Sequence, residues 1–220
     1  MEVGILGGTG PAGSGLAARL AAAGLQVAIG SRSKDRAQEI VTGLLERWPG
    51  RELALSAADN AMAAEAEVIV VATPWEAAAA TAGSVAAQLE GKVVISMANA
   101  LTRMGHEFEP LVPPRGSVAA HVQSAVPGAL VAAAFQHLPA KALSNLDEPV
   151  ESDVLIASDH PAAFEATARL VSLIPDLRPL NAGSVANAAP IEAFTAVLLQ
   201  LNVRYKTRAA LRLTGIELPQ

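Results

Sequence analysis

The sequence predicts an α/β protein: a doubly wound, mostly parallel sheet followed by a small helical C-terminal region. Three observations carry this. Short apolar runs alternate with stretches of helical spacing up to residue 96, joined by short connections. The first run, Val3-Gly4-Ile5-Leu6, leads at once into a glycine-rich turn and then an alanine–leucine helix pattern. Within that turn Gly8, Gly10 and Gly13 stand in the G-x-G-x-x-G spacing of a dinucleotide-binding turn, which makes the expected fold Rossmann-type.

The elements follow in order. The first apolar run is a strand, and residues 10–23 form a helix with Leu16 and Leu20 on one face, ended by Gly24. Residues 25–29 read as a second buried strand, 30–33 as a turn, and 34–48 as a polar helix broken by Pro49-Gly50. Residues 52–56 give a short third strand, 57–65 a helix, and 67–72 the strongest strand signal of the chain. Pro74 stops that strand, a helical pattern resumes over 75–89, and 92–96 give a fifth strand. Beyond residue 97 the regularity loosens. Residues 97–115 read as a long connection broken by Pro110, Pro113 and Pro114, with short strands at 118–120 and 130–135. Residues 136–149 are a second long loop, of a length that is often functional. A strand at 153–157, a helix at 161–173 and a last strand at 177–180 lead to a helical pattern over 184–214. Ile191, Leu198, Leu201 and Tyr205 are its expected buried positions.

With 220 residues the chain can bury a sizeable core, and with 51% apolar but only 3% aromatic residues that core is aliphatic. A formal charge of −5 argues against general affinity for nucleic acid or acidic membranes. The chain has no cysteine, which removes disulfides and thiolate metal sites and fits a reducing compartment. A strand starting at residue 2 leaves no room for a signal peptide, and the most apolar runs, 68–75 and 129–135, fall short of the ~20 residues that span a membrane. The expectation is a soluble, cytoplasmic protein.

In the glycine turn, Gly8 is expected to permit the tight turn, Gly10 to let the backbone approach a pyrophosphate, and Gly13 to seat the helix on its strand. Thr9 and Ala12 complete the phosphate-facing backbone, and Pro11 suits a first helical turn although it has no N–H to give. The helix start offers free N–H groups and a positive dipole end. The end of the second strand selects the nucleotide. It carries Gly30-Ser31-Arg32-Ser33-Lys34, with Arg36 one turn beyond Arg32 and no carboxylate before Asp35. A small hydroxyl and a guanidinium fork suit the 2′-phosphate of NADP rather than the bare ribose of NAD.

Carbonyl reduction needs an acid or base beside the nicotinamide. The only tyrosine is Tyr205 and position 209 is alanine, which closes the tyrosine–lysine route of short-chain reductases. His106, His121, His137 and His160 lack metal-ligand spacing, so no metal is expected. His137, in Phe135-Gln136-His137-Leu138-Pro139-Ala140 after an apolar strand, is the one catalytic candidate. This poverty of acid–base groups suggests an acceptor that needs little proton transfer at the reacting carbon. A flavin, a metal complex or a small imine stays open as acceptor, as does a non-catalytic NADP sensor that binds a protein partner.

Gly7-Gly8-Thr9-Gly10, Gly30-Ser31-Arg32, Thr73-Pro74-Trp75-Glu76 and Leu138-Pro139-Ala140 with Asn145-Leu146 together resemble the NADPH-dependent reductases of the deazaflavin coenzyme F420. Leu180-Asn181-Ala182-Gly183, Asn187, Glu192 and Thr195 are also similar to that family, so the resemblance covers nearly the whole chain. It implies reversible hydride transfer between NADP(H) and F420, with the two rings stacked in a cleft. It further implies that Thr73, Pro74 and Trp75 lie on the nicotinamide side, that Ala98, Asn99 and Ala100 face the same cleft, and that Gln136, His137, Leu138 and Pro139 border the deazaflavin. Asn187 belongs with the expected cofactor-binding residues. One departure is that some members carry histidine where this chain has Gln136.

The expected division is an NADP-binding domain over 1–182 and a helical segment over 183–220 completing the deazaflavin cleft. That segment holds Arg204, Lys206, Arg208 and Arg212, which read either as a solvated face or as cations meeting the anionic phosphate and glutamate tail of F420. Its alanine- and leucine-rich helix also suits pairing across a two-fold axis, so a homodimer or higher homo-oligomer is expected.

Overall fold

In the computed structural model, which describes residues 1–217, the chain opens as strand and helix in alternation. These are β1 (Glu2–Leu6), α1 (Pro11–Ala22), β2 (Gln26–Ser31), α2 (Lys34–Arg47), β3 (Leu55–Asp59), α3 (Asn60–Ala63), β4 (Val68–Val71), α4 (Trp75–Gly83), α5 (Ala86–Leu89) and β5 (Val93–Ser96). A hairpin of β6 (Leu101–Met104) and β7 (Glu107–Pro110) precedes α6 (Val118–Ala125), β8 (Leu130–Ala133), α7 (Ala140–Leu143) and β9 (Ser152–Ser158). Then come α8 (Pro161–Ser172), β10 (Leu177–Asn181), a 3-10 turn (Val185–Asn187) and α9 (Ala188–Tyr205).

Eight strands form one sheet in the order β10-β9-β8-β5-β4-β1-β2-β3. All neighbours are parallel except β8 and β9, which run antiparallel. Val3 of β1 lies opposite Val27 of β2 on one side and Val68 of β4 on the other, so the strand order reverses at β1. A crevice therefore opens beyond the C-terminal ends of β1 and β4.

Helices cover both faces, which is why the central strands are near-continuous apolar runs, broken only at their ends by Glu2 and Ser96. In β4, Val68 and Val70 join the layer formed with Leu16, Leu20 and Val41 of α1 and α2. Ile69 and Val71 face the opposite layer, with Ala78, Ala82 and Val122 of α4 and α6. Pro11 opens α1, Gly24 follows its end at φ +88, and the Ser33 hydroxyl caps α2 by accepting from the Arg36 N–H.

Four expectations are corrected. The third strand begins three residues later, at Leu55, because Ala57 and Ala58 pair with Ile29 and Gly30. Alanine gives almost no strand signal, so the pairing surface decided the register. Residues 118–120 open helix α6: the Ser117 hydroxyl accepts from the Ala120 N–H, and the Glu192 carboxylate accepts from the Val118 and Ala119 N–H groups. The connection at 97–115 holds the β6–β7 hairpin, which packs on α9. The final helix stops at Tyr205, leaving Leu201 37% and Tyr205 69% exposed.

After Tyr205 the chain crosses β9, where the Asp153 carboxylate accepts from Arg178 (2.7 Å), Arg212 (3.4 Å) and the Leu213 N–H (2.6 Å). Residues 218–220 of the expected C-terminal segment lie outside the described residues. Among the described residues, no helix is long and apolar enough to cross a membrane.

Candidate active site

The turn after β1 needs its glycines for separate steric reasons. Gly7 sits at φ +66, and a Cβ there would stand 2.2 Å from Thr73 Cγ2, so the tight turn assigned to Gly8 falls on Gly7. Gly8 lies behind it, donating its N–H to the Gly30 carbonyl at 2.9 Å. A Cβ on Gly13 would be 2.9 Å from Gly8 Cα, so α1 seats directly on the turn. A Cβ on Gly10 would meet nothing within 4 Å. The N–H groups of Ala12 and Gly13, in the first turn of α1 beside exposed Pro11, have no intrahelical acceptor, as at any helix N-terminus. Gly10→Ala is expected to leave thermal stability within about 1 °C while raising the Kd for NADPH, whereas Gly13→Ala lowers the melting temperature. Calorimetry with a nucleotide titration separates the two.

A cleft of about 570 Å³ lies beside this turn, lined by Gly7, Thr9, Ser31, Arg32, Asn60, Thr73 and Pro74, with Ala77, Ala80, Thr81 and Ser84 of α4. The buried Thr73 hydroxyl has no partner, which is the state of a group that awaits a ligand. Arg32 has no acidic partner among the described residues, whereas Arg36 is held by Glu39 at 2.8 Å and does not line the cleft. The Ser31 hydroxyl accepts from the Ser33 N–H at 3.2 Å. An open backbone at Gly10, free helix N–H groups, an orphaned hydroxyl and a free guanidinium together fit NADP. A larger, flatter and mainly apolar depression of about 800 Å³ at Met1, Phe164 and Leu173 lies at the opposite end of β1, away from these groups.

Beyond β4 the neighbouring strand ends supply a second wall. Thr195 of α9 donates to Asn99 Oδ1 at 3.2 Å, and Asn99 Nδ2 donates to the Gln136 carbonyl at 2.7 Å. This chain ties α9 to the loops after β5 and β8. The Gln136 carboxamide, 4% exposed, and the Ser96 hydroxyl are buried without partners. Ala98, Ala100 and Leu138 are buried, the first two in one core layer and Leu138 in the other, and Pro139 caps α7. Trp75 opens α4 half-buried against the α4–α6 core layer and does not line the nucleotide cleft. Asn187 lies on the exposed 3-10 turn, its amide donating to the Ala182 carbonyl at 2.6 Å.

The structure places His137, the expected catalytic candidate, inside the protein. Its ring is 3% exposed and its Nε2 lies 2.8 Å from the Asp153 carbonyl, which only a protonated Nε2 can satisfy. Burial holds its pKa below the usual 6.5, against the upward pull of the Asp153 backbone and carboxylate. The histidine packs toward β9, bonded to its backbone.

Two contributors escaped the sequence reading of the site, and a third, Glu192, entered it only through the family resemblance, without a role. Asn60 Oδ1 accepts from the Gly7 N–H at 3.1 Å and so holds the glycine turn from α3; a polar residue straight after the third strand was its only signal. Arg19, buried in the alanine-rich α1, bonds the carbonyls of Ala142, Leu143, Asn145 and Glu148 and thereby holds the 136–149 loop. A lone cation in an apolar helix was the clue. Glu192, 4% exposed, ties α9 to α6 through the Val118 N–H (2.8 Å) and Ala119 N–H (3.2 Å).

Burial pushes the Glu192 pKa up to about 7, although the two N–H donors pull it down. Between the usual 4.5 and about 7 the unfolded chain is ionised at this site while the folded chain keeps the proton, so stability falls as pH rises through that window. Glu192→Gln, which cannot ionise, is expected to show a flatter profile there. Urea unfolding at several pH values measures this, and parallel profiles would contradict it.

Fold and cleft together define a Rossmann-type dinucleotide-binding protein. The family model described as NADP oxidoreductase coenzyme F420-dependent matches residues 2–100. The F420-dependent NADP reductase of Methanothermobacter marburgensis is 37% identical over 222 residues, spanning 98% of this chain and 99% of that protein. The F420-dependent NADP reductase of Methanocaldococcus jannaschii is 34% identical, spanning 99% of this chain and 100% of that protein. The chain belongs to the family of F420-dependent NADP reductases. A crystal structure of a putative F420-dependent NADP reductase from Arthrobacter sp. FB24 shares the fold, with a TM-score of 0.78 at 24% identity over 96% of this chain and 98% of that one.

Proposed function

We propose that this protein transfers hydride reversibly between NADPH and coenzyme F420. Beside the family membership, the observation that carries the reading is the adjacency of β4, β5 and β8. Their C-terminal ends set the Thr73 side of the nucleotide cleft next to the Asn99–Gln136–Thr195 wall. These four side chains carry groups that can hydrogen-bond a ligand but do not titrate near neutral pH. That suits a reaction in which a hydrogen and its electron pair pass from one ring carbon to another, with the deazaflavin supplying the acceptor carbon. The chain's work is then to bind, orient and exclude water. Gly10, the α1 N-terminus and Arg32 hold the phosphates. The buried Gln136 carboxamide and Thr195 steady the second ring, and the described part of the C-terminal segment, residues 183–217, completes its side of the cleft.

The absence of cysteine and of a membrane-length apolar helix among the described residues supports a cytoplasmic place. On α9, Phe194 (38% exposed), Val197 (49%) and Leu201 (37%) share one face, which supports a homo-oligomer. The direct test follows loss of the deazaflavin absorbance on adding NADPH, with NADH as control and a flavin and a small imine as rival acceptors. Turnover of a rival but not of F420, or none at all, would overturn the reading.

A further inference from the structure

The structure redistributes the C-terminal cations. Arg212 turns inward to the buried Asp153 carboxylate, and Arg208 pairs with Glu148 at 3.3 Å. Lys206 instead converges with Lys141 of α7. With Arg208, Asn202 and Thr207 they line a polar depression of about 570 Å³. Neither lysine has an acidic partner among the described residues, so three cations face one carboxylate, Glu148, at this depression's edge.

Its position follows from the two elements that build it. Asn202 lies seven residues, two turns, beyond Thr195 and therefore on the same face of α9, about 10 Å along the axis. Lys141 lies five residues beyond Gln136 on the loop that runs alongside. Helix and loop meet at Thr195–Asn99–Gln136, and both carry their cations farther from the sheet edge. Lys206 also holds a left-handed conformation, φ +51, at the helix C-cap, where glycine is the unstrained choice.

We propose that this depression is an anion subsite that receives the phosphate and glutamyl carboxylates of the F420 tail while the ring lies against the Gln136–Thr195 wall. The proposal rests on the functional reading above and assigns the tail a place that the hydride chemistry itself does not require. Free inorganic phosphate has the same charge chemistry, so the test separates it from the tethered tail.

The experiment uses the full chain and measures Kd by deazaflavin fluorescence for F420 and for its tail-less analogue, at low and high salt. The variants are Lys206→Gly, which removes the cation and relieves the left-handed backbone, and Lys206→Gly combined with Lys141→Gln. The double variant is expected to weaken F420 binding about tenfold, to flatten its salt dependence and to leave the tail-less analogue unchanged. Millimolar phosphate is expected to compete weakly with F420 only. An unchanged ratio of the two Kd values overturns the subsite and leaves the hydride-transfer reading standing. Failure of both deazaflavins to bind wild-type protein overturns the two together.

Discussion

Arg19→Met is expected to cost about 3 kcal/mol of stability and to lower the melting temperature by roughly 6–12 °C. The guanidinium lies almost wholly inside the protein and bonds the carbonyls of Leu143 (3.1 Å), Ala142 (2.8 Å) and Glu148 (2.7 Å), as well as that of Asn145. These acceptors belong to the end of the four-residue helix α7 and the turn after it; the Ala142 carbonyl also accepts from the Asn145 N–H at 3.2 Å, whereas those of Leu143, Asn145 and Glu148 rely on the guanidinium. Burial, and then the charge of Arg51, pull the Arg19 pKa down, yet a guanidinium stays charged in proteins. Methionine matches its length but leaves the carbonyls of Leu143, Asn145 and Glu148 orphaned.

The same substitution is expected to raise KM for the deazaflavin more than KM for NADPH, because the loop it frees begins at Gln136. Arg19→Lys keeps the charge but not the planar fork and should recover only part of the loss. Scanning calorimetry and steady-state kinetics test this. A melting temperature within 2 °C of wild type would show that water satisfies the loop as well as arginine does.

The second large effect concerns nucleotide choice. Arg32→Ala is expected to raise KM for NADPH about ten- to a hundredfold while leaving KM for NADH nearly unchanged, the range for a charged hydrogen-bonded contact with phosphate. Arg32 stands at the mouth of the cleft beside Ser31, without an acidic partner among the described residues. Arg36 is engaged by Glu39, so Arg36→Ala should change the NADPH/NADH ratio far less. Initial rates with both nucleotides decide the matter. An equal rise in both KM values for Arg32→Ala would place the guanidinium elsewhere than at the 2′-phosphate.

Legibility followed the range of the forces involved. The β1–α1–β2 unit could be read because each part is local: a continuous apolar run, a glycine spacing, a proline at the first helical position and a stop at Gly24. Thr73, Ser31 and Arg32 were legible for the same reason, since they follow strands that alternate predictably with helices. Residues 118–120 read as a strand because their helix is nucleated from outside, by a carboxylate 74 residues away from Val118. Tyr205 read as buried because helical periodicity cannot say which neighbour is present; the hairpin and α6 cover only part of α9.

What the sequence determined alone was the parallel architecture, the glycine turn and the family, all written in short contiguous segments. Only the tertiary structure decided which glycine makes the turn, that the His137 ring meets the Asp153 carbonyl of β9, and which C-terminal cations remain available. The physical reason is common to all three. A side chain's chemistry is local, but its direction and its partner depend on backbone groups brought together from distant parts of the chain.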